Sequence, residues 1–402
     1  MCPAIQPSER GNTRADRGRS QDLKRGTKVR GRAKHRLRCA YLNCHTREYP
    51  TTKIPIVRIP ARPAKDQANR VAPAIRASLL ARTDRSMPIS LVIFVGVLSA
   101  IIALRPLGFD RDFREYGLFY FGAVERGSRM EWTAFGISWR LLESAGVTFF
   151  ATIALTTFVA LLPKFQTAWI LPTPWLWILT YTTIFLPLHE YTQIRLAFAV
   201  GMAMMYINRC IRLGRADGRA FAFATLAAWI HPSLLPLVPA AFGWRWFGAH
   251  PYAFLCVCVA PAALPSHALM GVISGLHTEY EFAELAAGTN STGFNTLSLR
   301  NIVIAISLTI SASQIHRLPQ VIRPLVGIAS GYFALGVSMP QEPVFAHRMV
   351  EIAMLFPPLW VSWLTLLGRT FVSIAYCILC ATVFYLLAVS SDFFGGADIP
   401  QM

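Results

Sequence analysis

Charge is scarce in this chain. Asp, Glu, Lys and Arg make up 15% of its 402 residues, where a soluble domain carries about 25%. The shortage is uneven. Residues 1–88 hold 21 Lys and Arg against 6 Asp and Glu, so most of the formal net charge of +18 sits in that head. The residues after it carry 18 basic against 15 acidic groups. A chain so poor in charge over most of its length is not an ordinary soluble domain. A cysteine framework is missing too. Of the eight cysteines, Cys2, Cys39 and Cys44 lie in the basic head, and Cys256-x-Cys258 and Cys377-x-x-Cys380 lie inside apolar blocks. A zinc or redox site needs polar access and further ligands, so these cysteines read as small buried hydrophobes. Strand-like alternation of polar and apolar residues is also absent from the second half.

What is there instead is apolar blocks of about 14 to 23 residues, near the length that crosses a hydrocarbon core. Hydrophobic residues make up 54% of the chain. The fold class expected is all-α: a polytopic transmembrane bundle of about ten or eleven helices over residues 88–402. Ahead of it stands a basic head over 1–87, exemplified by Lys24-Arg25-Gly26-Thr27-Lys28, which lacks apolar periodicity and is expected to be disordered. A tail that binds nucleic acid or anionic lipid is one reading of it. The plainer reading is favoured: Met87-Pro88-Ile89-Ser90-Leu91 has the form of a membrane-protein start, and the stretch before it stands outside the fold.

Orientation follows from the basic loops. Arg209, Arg212, Arg215 and Arg219 crowd one short loop after a span at about 194–211, which puts that loop in the cytoplasm. Counting back through spans near 169–187, 146–162 and 88–104 leaves Lys164 cytoplasmic and the segments 188–193 and 105–145 outside. Counting forward depends on 220–247, which His231-Pro232 interrupts. Read as two short spans meeting there, it leaves Arg245 inside, the acidic segment 275–299 outside, and His316, Arg317 and Arg323 inside. Spans near 251–273, 298–312, 321–338, 349–367 and 370–389 complete the count.

On this topology the outer side collects Asp110, Arg111, Asp112, Arg114, Tyr116, Glu131, Arg140, His189, Glu190, Gln193, Arg195, His231, Tyr280, Arg300 and Arg348. Ionisable groups at a membrane edge are expensive and mark function by default. For Arg111, Arg114 and Arg140 the bland alternative is favoured, a snorkelling or carboxylate-paired side chain. Arg348 has Glu351 three residues on as a ready partner. Arg195 is different. It opens an apolar helix with Phe198 and Ala199 at the positions a carboxylate would need, and a helix N-terminus repels a cation. A planar guanidinium suits phosphate oxygens, and fixed cations stabilise the charge that grows on a departing diphosphate.

The segments Tyr191-Thr192-Gln193-Ile194-Arg195-Leu196-Ala197-Phe198-Ala199 and Ala228-Trp229-Ile230-His231-Pro232-Ser233-Leu234-Leu235 resemble the EpsG family of Wzy-type polysaccharide polymerases. There a Gln-x-Arg-x-x-x-Ala motif opens a helix, a basic loop follows, and a later helix ends in Phe-His-x-Ser. This chain has Ile230 in the Phe position and Pro232 after the histidine. Asp112-Phe113-Arg114-Glu115-Tyr116 resembles the family's Asp-x-x-x-Tyr, Glu131-Trp132 its acidic-aromatic element, and Phe345-Ala346-His347-Arg348 its late Phe-x-x-Arg. The likeness covers most of 88–370.

The resemblance implies a function: joining undecaprenyl-diphosphate-linked oligosaccharide repeats on the outer face of a bacterial cytoplasmic membrane, for exopolysaccharide, capsule or O-antigen. It implies no cofactor and no metal. Its partners would be the lipid-linked substrate, membrane lipid, a flippase and chain-length regulators, with no nucleic acid. Arg195 and Arg348 would bind diphosphate. Asp112 and His231, in that order, are candidates for the base that takes the acceptor proton. Tyr116, Glu131, Glu190, Gln193 and Tyr280 would contact substrate. Two rival readings stay open. Asp110-x-Asp112 could hold a divalent cation in a metal-dependent lipid-sugar glycosyltransferase. The proline-broken segments at 171–174 and 231–239 could belong to a flippase or transporter.

Overall fold

The computed structural model describes residues 86–105, 111–122, 132–191, 193–262, 296–339 and 343–366, and scattered positions from 370 to 382. The chain divides after Ala61 into two units, and every described residue belongs to the second. Among the described residues all regular structure is helical. Two helices, Phe149–Trp169 and Ile194–Leu213, are long and apolar enough to cross a membrane; Ile89–Ala103, Gly218–Ile230 and Asn301–Ser313 are shorter apolar helices.

Chain order runs α1 (Ile89–Ala103), α2 (Arg111–Tyr120), α3 (Ala134–Ser144), α4 (Phe149–Trp169), and α5 (Pro174–Thr180), which widens into a π-helix over Tyr181–Tyr191. Then come α6 (Ile194–Leu213), α7 (Gly218–Ile230), a 3-10 turn at Pro232–Leu234, α8 (Leu237–Ala249) and α9 (Ala253–Ala262). The last described group is α10 (Leu299–Ser313), α11 (Arg323–Ser338), α12 (Pro343–Leu355) and α13 (Pro357–Leu366).

Local chemistry sets these limits. The Thr148 hydroxyl accepts from the Ala151 N–H at the head of α4. Gly214 ends α6 in the left-handed region, φ 66°, where a side chain would be strained. Asp217 then caps α7, accepting from the Ala220 N–H at 2.9 Å. The same carboxylate takes the Arg209 Nε–H at 2.7 Å, and that guanidinium holds the Asp217 carboxyl down at about 2. Proline decides the irregular places. Pro187 has no N–H for the ladder and crowds the carbonyl one turn back, and around it the helix adopts the wider π pattern. Pro357 and Pro358 separate α12 from α13, so the single span expected over 349–367 is two helices.

The core forms where α4 and α6 lie side by side. A Cβ on Gly201 would come within 2.7 Å of the Ala160 carbonyl oxygen, so glycine is what permits this approach. Thr167 Oγ1 bridges the two helices by donating to the Met204 carbonyl at 3.0 Å. α1 covers α4, and α7 covers α6. α8 folds back on α7, with the Phe221 and Phe242 rings 4.6 Å apart. The break expected at His231-Pro232 is therefore a reversal between two short helices. α11 packs against α8, α9 and α12.

Candidate functional site

The site grows from the corner between the π-helix and α6. Glu190, at the end of the widened helix, has a fully buried carboxylate. Lys164, from the C-terminal part of α4, makes a direct ion pair with it, and its side chain is equally buried. The Tyr181 hydroxyl donates to the same carboxylate, 2.8 and 2.9 Å from its two oxygens. The ammonium also lies 5.3 Å from the Tyr181 ring centre. Arg105, just past α1, donates from Nη1 to the Glu190 backbone carbonyl at 3.0 Å. A buried charge survives only when paired and hydrogen-bonded. This one is, by three separate segments, and the arrangement pins the corner in place.

Two sequence expectations change here. Lys164 does not mark a cytoplasmic surface: it is enclosed by protein and paired with a residue expected at the outer face. Nor is 188–193 a simple exposed link, because His189, Glu190 and Gln193 are all buried. The reason is common to both. A lysine inside an apolar helix needs a carboxylate, and Glu190 is the one within reach.

Arg195 opens α6 one turn further on. Its backbone N–H is capped by the Tyr116 hydroxyl at 3.2 Å, and Tyr116 is wedged against Phe135 and Trp139. Its guanidinium has no carboxylate or hydrogen-bond partner among the described residues. Glu190 does not neutralise it, since both carboxylate oxygens are committed to Lys164 and Tyr181.

His231 ends α7. Its Nδ1 lies 2.6 Å from Ser233 Oγ and accepts from the Ser233 N–H at 3.4 Å. The turn that follows touches both α6 and α12. On α12, Arg348 pairs with Glu351 at 3.0 Å, the i, i+3 contact expected from spacing. Arg195, Arg348 and His189 all act on His231, and Lys164 and Arg348 act on His189. Residues from five separate elements (α4, the π-helix, α6, the end of α7 and α12) therefore converge. Among the described side chains here, four cations (Arg105, Lys164, Arg195, Arg348) face two carboxylates (Glu190, Glu351). Among the described side chains Arg195 is left over from these pairings, and a guanidinium without a carboxylate favours an anion.

His189 is the most exacting member. Its ring is fully buried beside Phe185, and neither ring nitrogen has a hydrogen-bond partner among the described residues. The Gln193 amide oxygen is in the same position. Leaving such groups unsatisfied costs about 1–3 kcal/mol each, which a polar ligand reaching them would offset.

Of the residues singled out from sequence, Tyr116, Glu190, Gln193, Arg195, His231 and Arg348 come together here. The side chains of Asp112 and Arg300, and all of Glu131 and Tyr280, lie outside the described residues. Arg140 pairs with Glu143 at 2.7 Å and sits over the Phe119 ring, as its bland reading expected. Lys164, Tyr181 and Arg105 went unremarked as site residues. For Lys164 a signal existed: it follows Pro163 within an apolar block and so needed a buried partner.

The two long apolar helices have the length and composition of membrane-crossing segments. The model of the EpsG family matches residues 89–398, and the chain belongs to that family. That membership makes it a membrane protein of polysaccharide synthesis. No curated protein and no solved structure matches the chain.

Proposed function

We propose that the protein polymerises undecaprenyl-diphosphate-linked oligosaccharide repeats at the outer face of a bacterial cytoplasmic membrane, which it crosses many times. The observation that carries this reading is the Arg195 guanidinium at a helix start, without a partner among the described residues, and acting with Arg348 on His231. Family membership supports it.

In the reaction, a hydroxyl of the incoming repeat attacks the anomeric carbon of the growing chain. The bond from that carbon to the diphosphate oxygen breaks, and its electron pair leaves with the diphosphate lipid. Arg195 and Arg348 take up the charge that develops there. The hydroxyl proton passes to a base, for which Asp112 and His231 are the candidates. Tyr116 and Gln193 line the helix start where the leaving group would rest. Glu190 contributes by holding the corner through Lys164. Flippase and chain-length regulator proteins would act alongside.

The test is the lipid-linked glycan of a strain lacking this protein. Accumulation of single repeats with loss of polymer supports polymerisation. Normal polymer refutes it. With purified protein, loss of activity on chelation would favour the metal-dependent glycosyltransferase, and lipid flux without bond formation would favour the transporter.

A further inference from the structure

We propose that His231 is a hydrogen-bond donor to the departing diphosphate and not the base, and that His189 is a second donor beside it. The inference rests on the polymerase reading and assigns within it a role that sequence left divided.

The argument for His231 is one of tautomers. The Ser233 N–H points at Nδ1 and can only donate, so Nδ1 must be the unprotonated nitrogen. The Ser233 hydroxyl, 2.6 Å from the same atom, fits as a second donor. A neutral imidazole with Nδ1 bare carries its proton on Nε2. No hydrogen bond engages Nε2 among the described residues. The nitrogen left for substrate is therefore already protonated. It can donate a hydrogen bond to an anion, but it has no lone pair with which to take a proton from a sugar hydroxyl. Reversing the tautomer would set Nδ1–H against the Ser233 N–H.

The setting agrees. His231 lies within the field of Arg195 and Arg348, the two cations assigned to the diphosphate. Those cations would attract the same oxygens that an Nε2–H would meet. A base for the acceptor hydroxyl belongs on the other side of the anomeric carbon, away from the leaving group, and the remaining candidate is Asp112. The proton then goes to that carboxylate while the electron pair of the broken bond goes to the diphosphate.

His189 carries the same chemistry from the π-helix. It is fully buried, lies within the fields of Lys164 and Arg348, and leaves both ring nitrogens without a hydrogen-bond partner among the described residues. Lys164 and Glu190 satisfy each other next door, so neither can serve it. An oxyanion placed between the two histidines would satisfy a donor from each.

Paired amide substitutions separate donor from base. Gln places an N–H near the Nε2 position of His, and Asn places one near Nδ1. The full chain is reconstituted in nanodiscs, and binding of farnesyl diphosphate, a soluble isoprenyl diphosphate, is measured alongside polymer formation. The expected result is that His231→Gln binds within about threefold of wild type and still forms polymer. His231→Asn and His231→Ala should bind about ten- to a hundredfold more weakly, as expected for a lost hydrogen bond to a charged group. If His231→Gln binds normally but forms polymer about 10²- to 10⁴-fold more slowly, His231 is the base and the proposal falls. For His189, the variant is His189→Leu, which removes both unmatched nitrogens at similar volume. Unchanged or raised thermal stability with at least about tenfold weaker farnesyl diphosphate binding supports the donor role. Unchanged binding overturns it. A wild-type protein that neither binds farnesyl diphosphate nor forms polymer sinks the polymerase reading itself, and the donor roles with it.

Discussion

Lys164 and Glu190 stand 26 residues apart and meet as an ion pair with both side chains 0% exposed. Breaking such a pair from one side strands a charge in the core. Lys164→Met and Glu190→Gln should each lower stability by about 3–5 kcal/mol. The double variant should lose clearly less than the sum. Thermal unfolding of detergent-solubilised protein, arranged as a double-mutant cycle, measures the coupling. Additive losses would show that the two side chains do not depend on each other.

Arg195 is the position where activity and stability should separate most cleanly. Its guanidinium has no protein partner among the described residues, so little in the fold depends on it. Arg195→Ala should abolish polymer formation at normal membrane abundance. Arg195→Lys keeps the charge but loses the planar fork, and should impair activity less severely. Full activity in Arg195→Ala, or a defect confined to abundance, would refute the diphosphate role.

Trp132 and Arg215 test the orientation. Trp132 is 74% exposed in a segment expected outside, and Arg215 lies in the basic loop expected inside. In a background free of native cysteines, a cysteine at 132 should react with a membrane-impermeant reagent on intact cells. One at 215 should react only after the cells are opened. The reverse pattern would invert the topology and move the proposed site to the cytoplasmic face.

Asp217 carries a pH dependence whose sign is settled by its depressed value, about 2 against an ordinary 3.8. A carboxyl lowered by folding contributes stability that is complete above its ordinary value and is lost as pH falls through the folded one. The melting temperature of wild type should therefore exceed that of Asp217→Asn by a constant margin from pH 7 to pH 5. The margin should shrink only toward pH 2. A margin already gone at pH 5 would mean that Arg209 is not its partner.

The Met87 start makes a further expectation. Protein beginning at Met87 should insert and form polymer as the full chain does, because the family match begins at residue 89. Loss of insertion would assign the basic head a role in the fold.

Much of this protein was legible in one dimension. Apolar block length announces helices in a membrane. His231-Pro232 announces a break, since proline cannot continue the ladder and restricts the residue before it. The order of Gln193, Arg195, His231 and Arg348 was enough to suggest the family. Composition and spacing carry these features because each depends on residues close in sequence. The widened helix over Tyr181–Tyr191 and the split at Pro357 were misjudged as plain spans, because hydropathy does not register how the backbone ladder is closed.

What only the tertiary structure decided is who faces whom. Sequence counted Glu190 among the outer polar residues and placed Lys164 at a cytoplasmic end. Packing of α4 beside α6 instead brings Lys164 to Glu190. Among the described residues Arg195 is left without a partner, and His231 falls under the influence of Arg348 from a helix more than a hundred residues later. The assignment of the His231 proton to Nε2 likewise rests on one backbone N–H, that of Ser233. Buried electrostatics is a matter of distances of a few ångströms in a medium that screens poorly. Such distances are created by helix packing, and no local pattern of residues can state them.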